Sequence, residues 1–119
     1  MKHFAFFVLS MAICCSATAQ YQTVEIGKVQ IAKTLTGTVV DPSGSAVPGV
    51  QVLEVSSDWR TVLRTTTTDS SGRWSLPPIP GQRVYYFRFV AGGFDPLQVR
   101  IKLSHSKGSD LKFELTIAT

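Results

Sequence analysis

The sequence predicts an all-β fold, a seven-stranded β-sandwich with Greek-key wiring that follows a cleavable N-terminal signal peptide. Three observations lead there. From Val29 onward apolar residues recur with a period of two, and no helical pattern is sustained. Glycines and prolines punctuate these runs at spacings of roughly ten residues, as in sandwiches. The 119 residues leave room for one domain, and no repeat points to a solenoid or propeller.

The chain begins with an export signature. Residues 1–19, MKHFAFFVLSMAICCSATA, combine Lys2, an apolar run from Phe4 to Ile13, and the exit Ala17-Thr18-Ala19. That exit has the A-x-A form read by signal peptidase, with Gln20 as the new N-terminus. The run falls short of the about 20 apolar residues that a membrane-spanning helix needs. A secreted or periplasmic chain is therefore expected, with no stable membrane span once the signal is removed. Lipid attachment at Cys14 or Cys15 is disfavoured, because Ile13 and Cys14 precede them where a lipoprotein signal requires a small residue. Both cysteines leave with the signal, which excludes a disulfide scaffold, a thiolate zinc site and a cysteine nucleophile.

Residues 20–34 are polar and serve as a tether or first strand; the sandwich domain is placed at 35–119. Val29, Ile31, Leu35 and Val39 alternate with Gln30, Thr34, Thr36 and Thr38, which sets one face on a core and one in water. Asp41-Pro42-Ser43-Gly44 fits a type I turn: Asp first, a proline that presets φ second, glycine fourth. Pro48-Gly49 redirects the chain into a strand over Val50 to Val55, closed by Ser56-Ser57-Asp58. Arg60 to Thr68 has Val62 and Leu63 on opposite sides, so neither face is distinctly apolar, as suits an edge strand. Asp69 to Gly72 turns the chain into a strand that places Trp74 and Leu76 together. Pro77 to Gly81, with three prolines, is a rigid connector. Tyr85, Phe87 and Phe89 then share one face, with Tyr86 and Arg88 on the other. Leu97, Val99, Ile101 and Leu103, and later Leu111, Phe113, Leu115 and Ile117, alternate with polar residues.

Charge narrows the partner class. Of twelve Lys/Arg only Lys2 precedes position 20, leaving eleven against eight Asp/Glu. They are scattered singly and form no basic run, so they read as solvated faces and nucleic acid is not an expected partner. No metal site is expected, since His105 is the one histidine after processing and zinc wants three or four converging ligands. Asp69-Ser70-Ser71-Gly72 offers a single carboxylate, too few for calcium. Ser104, His105, Ser106 and Asp110 share one loop, but triads are made by geometry, and no G-x-S-x-G elbow supports one. No catalytic residue and no cofactor is expected.

The ordered set Gly37, Pro48-Gly49, Asp69-x-x-Gly72 with Trp74, Pro80-Gly81 and Gly93-Phe94 resembles the carboxypeptidase regulatory-like domain over roughly Leu35 to Leu103. The resemblance implies a transthyretin-like, or prealbumin-like, sandwich, grouped with carbohydrate-binding-like folds. Trp74 departs from the more usual Phe or Tyr and implies a wider core or a partly exposed indole. In metallocarboxypeptidases such a sandwich accompanies a separate zinc-bearing domain, for which this chain has no room. The 5-hydroxyisourate hydrolases of the transthyretin-like fold use histidines and a Tyr-Arg-Gly-Ser C-terminus that "ELTIAT" lacks.

The expected function is a non-catalytic binding module for protein interaction or adhesion. Its partner would be a cell-envelope or extracellular protein, reached through the Thr65 to Thr68 edge by strand addition. The alternative is a carbohydrate-binding module whose partner is a polysaccharide. Its candidate ligand-binding residues are Trp59, Tyr86 and Arg88, two rings outside the presumed core and a cation beside them.

Overall fold

The period of two resolves into two sheets in the computed structural model, which describes residues 22–106, 108 and 110–118. The expected signal peptide, residues 1–19, lies outside the described residues. Eight strands are present among them: β1 (Val24–Ala32), β2 (Thr36–Val40), β3 (Gln51–Val55), β4 (Val62–Thr67), β5 (Arg73–Ser75), β6 (Val84–Val90), β7 (Leu97–Leu103) and β8 (Leu111–Glu114). The larger sheet has the order β1-β7-β6-β3-β4 and the smaller β5-β2-β8.

The expected count of seven is corrected to eight for a definite reason. The run from Val29 to Val39 is not one strand. A bend at residues 33–35 divides it, and its two halves enter different sheets. Parity changes across the bend: Ile31 is exposed and its neighbour Ala32 is buried, while Leu35 and Val39 are fully buried. β1 joins β7 and β2 joins β8, each in parallel, while the remaining strand pairs are antiparallel.

The core is an aromatic seam between the sheets. β6 sends Tyr85, Phe87 and Phe89 inward, all fully buried. Trp74 of the smaller sheet lies 5.2 Å from Phe87 and 5.6 Å from Phe89, and Phe113 lies 5.2 Å from Phe89. Burying one such ring stabilises by about 1.5–3 kcal/mol, and tilted pairs add about 0.5–1.5. Of the two accommodations expected for Trp74, a deeper core is the one observed: the indole is 2% exposed. Gly37 makes the room, since a Cβ there would sit 2.9 Å from Trp74 Nε1 and 2.9 Å from the Leu111 carbonyl.

Both short turns form as their residues dictate. Gly44 N donates to Asp41 O at 2.9 Å, and Gly72 N donates to Asp69 O at 2.9 Å. Tyr85 anchors the proline-rich connector, its hydroxyl donating to Gln82 O (2.9 Å) and accepting from Ile79 N (2.9 Å). The position that departs from pattern is Glu54. It shares the inward parity of Val50 and Val52 and is fully buried. Arg64, its register partner on β4, donates Nε to Glu54 Oε1 at 2.6 Å and Nη1 to Pro77 O at 2.6 Å.

Candidate functional site

Because β6 turns Tyr85, Phe87 and Phe89 inward, the same alternation turns Tyr86 and Arg88 outward. Tyr86 stands opposite Val55 of β3 and Arg100 of β7. The β3–β4 hairpin closes on this side: Trp59 N donates to Ser56 O at 2.8 Å, and Asp58 Oδ1 accepts from Arg60 N at 3.1 Å. Trp59 has φ of +66°, the left-handed region that a bulky residue rarely adopts. That backbone brings the indole against the Tyr86 ring, edge to face, with centroids 5.4 Å apart and planes at 89°. Arg88 secures the arrangement by donating Nη2 to Trp59 O at 2.8 Å. On the other side of Arg88 stands the Gln98 amide, which, turned with its oxygen toward the guanidinium, accepts from Nε and Nη2 at 3.1 and 2.9 Å.

Trp59, Tyr86 and Arg88 are therefore one cluster on the outer face of the larger sheet, although 27 positions separate the two rings in sequence. Val62 lies beside it, in register with Val55 and about half exposed. The platform is a surface. Three concavities of about 370–510 Å³ lie elsewhere, and none is lined by these three residues.

The hydroxyl and carboxylate groups near the turns are occupied with backbone. Asp41 Oδ1 accepts from Ser43 N and Ser45 N, and Asp69 Oδ1 from Ser71 N and Arg73 N. The Ser43 hydroxyl beside Asp41 and the Arg73 amide beside Asp69 hold these carboxyls below their ordinary range. The Ser56 hydroxyl does the same to Asp58. Among the described residues no three His, Cys, Asp or Glu gather where they could hold a metal ion. His105 lines a concavity with Arg83 and Lys33, whereas Asp110 lines a different one.

Sequence reasoning missed the Glu54–Arg64 pair. The signal was there in parity, since Glu54 falls in step with Val50 and Val52, but nothing in the sequence identified Arg64 as the partner that allows it.

The model of the carboxypeptidase regulatory-like domain family matches residues 34–116. The chain belongs to this family. Among curated proteins, this regulatory-like domain is similar to TonB-dependent receptor P39 of Formosa agariphila, with 28% identity over 95 residues. The alignment covers 80% of the chain and 8% of the receptor, so the domain spans less than a tenth of that relative's length.

Proposed function

We propose that this regulatory-like domain is a non-catalytic, exported module that holds or recognises a cell-envelope protein along strand β4. The carrying observation is the free edge. Among the described residues β4 ends the larger sheet and pairs with β3 alone, and it exposes Val62 and Leu63 by about half. Edge strands are commonly blunted by Lys, Pro or shortness. β4 runs six residues; its register shift and the inward Arg64 lie toward its Val62 end, and beyond them Thr65 to Thr67 pair regularly with β3 and carry no charge, while β5 has three residues, β8 has four with Lys112, and β1 carries Lys28 at an irregularity between Ile26 and Gln30. Similarity to 8% of the length of a TonB-dependent receptor supports the same reading, in which the domain serves as one portion of a larger assembly.

The test places a photo-crosslinking residue at Thr65 or at Lys102 of the full chain in the envelope fraction of its host. Adduct formation from Thr65 and not from Lys102 supports the reading, provided that Val62→Lys/Leu63→Lys abolishes it at unchanged melting temperature. Equal adducts from both positions, or indifference to the lysine pair, refute it.

A second reading rests on the aromatic cluster. Trp59 and Tyr86 present a ring platform, and Arg88 stands beside them with its guanidinium already held to Trp59 O and Gln98. This reading makes the domain a carbohydrate-binding module. Retention of the chain on insoluble polysaccharide, lost in Tyr86→Ala and in Trp59→Ala, supports it; retention unchanged in both refutes it.

A further inference from the structure

The cations that stand singly in the sequence are gathered by the fold. Lys33, Arg73 and Lys112 line one concavity of about 510 Å³ together with Thr36 and Thr38, on the outer face of the smaller sheet. A second of about 510 Å³ continues from it along the seam between the free edges of β1 and β8, sharing Asp110 and Lys112 and adding Lys28. A third of about 370 Å³ shares Lys33 and adds Arg83 and His105. The three form one track around the end of the sandwich. Asp110 is the acid that lines it, Glu114 follows Lys112 on the same face of β8, and Asp69 lies within the electrostatic reach of Arg73.

The opposite end carries the other sign. Segments 41–49, 91–96 and 115–118 meet there, with Asp41 and Asp95 and no Lys or Arg.

We propose that this track binds an acidic polysaccharide, one bearing sulfate or carboxylate groups on a hydroxylated backbone. The lining selects among polyanions. Among the described residues the concavity on the smaller sheet is lined by no aromatic ring on which a nucleobase could stack, which disfavours single-stranded nucleic acid. It also lacks an exposed aromatic anchor of the kind that dominates protein interfaces: among its described lining residues the large apolar side chain, Leu111, is buried, and the exposed Ile31 and Ile79 of the adjoining concavities are aliphatic. What it offers is threonine hydroxyls and widely spaced cations, complementary to sugar hydroxyls and to charges that repeat along a chain. The site is distinct from the Trp59 platform and from β4, and neither of those readings depends on it.

The test is titration of the full chain at low salt with dextran sulfate and with polygalacturonate, using neutral dextran and polyglutamate for comparison. Both acidic glycans are expected to bind more tightly than neutral dextran and polyglutamate. Lys33→Gln/Lys112→Gln is expected to weaken that binding about tenfold or more, since two charged contacts to the glycan are lost where screening is weak. Arg60→Gln/Lys102→Gln removes the same net charge elsewhere on the exposed surface and is expected to leave affinity within about twofold. Polyglutamate binding as tightly as the glycans, equal losses in the two double variants, or no binding to either acidic glycan each overturns the proposal. Melting curves of both variants confirm that the fold is retained.

Discussion

Arg64→Ala should destabilise the domain far more than its place on an edge strand suggests. Glu54 is fully inside the sandwich and Arg64 is one-quarter exposed. Truncating Arg64 removes the 2.6 Å ion pair and the strut to Pro77 O, and leaves Gln82 Nε2 at 3.4 Å as the remaining side-chain partner of Glu54. Removing one partner of a buried pair costs about 3–5 kcal/mol; discounted for the exposed quarter of Arg64, about 2–3 kcal/mol is expected. For a domain of this size that lowers the melting temperature by about 10–20 °C. Replacing both residues with apolar ones of similar shape, Glu54→Leu/Arg64→Met, should return most of the loss, because desolvating the two charges offsets much of their attraction. The assay is urea unfolding of wild type, both single variants and the double, followed by Trp fluorescence and read as a double-mutant cycle. Additive losses, or an Arg64→Ala variant within about 0.5 kcal/mol of wild type, would refute the claim that the pair acts as a unit.

Gly72→Ala should cost about 2–4 kcal/mol, since φ is +73° and the new Cβ would lie 2.7 Å from Val39 O. Gly44→Ala meets no atom within 4 Å at φ of +89° and should cost about 1–2 kcal/mol, so comparing the two midpoints in urea separates contact from backbone strain. Trp59→Gly should be more stable than Trp59→Ala by about 1 kcal/mol, because both lose the indole and only alanine keeps the penalty of φ +66°; equal thermal midpoints would refute this. The folded carboxyls of Asp41, Asp58 and Asp69 titrate below the unfolded value of about 3.9. Their contribution is therefore complete above that value and is lost as pH falls through the folded pKa values. Melting temperature should drop on acidification below about pH 4, and less steeply in Asp69→Asn than in wild type.

Local chemistry determined the class of fold and its punctuation. A two-residue rhythm is a one-dimensional property, and so are the demands of the Asp41–Gly44 and Asp69–Gly72 turns, which bond their own backbone. The inward set Tyr85, Phe87 and Phe89 was legible for the same reason, as was the edge character of β4, whose apolar residues fall on both sides. The count of strands was less so, because the bend at 33–35 leaves the alternation of threonines and aliphatics almost undisturbed while moving the chain from one sheet to the other.

Only the tertiary structure decided what meets what. Parity marked Glu54 as inward, but strand register supplied Arg64. Tyr86 and Arg88 were visibly neighbours on one face, yet their junction with Trp59 depends on a left-handed residue in the β3–β4 hairpin. The grouping of Lys28, Lys33, Arg73 and Lys112 was beyond any reading of the sequence, in which no two stand together. Those residues converge because β1 and β8 border one seam and β2 lies between β5 and β8, and strand order is set by long-range pairing that alternation does not encode.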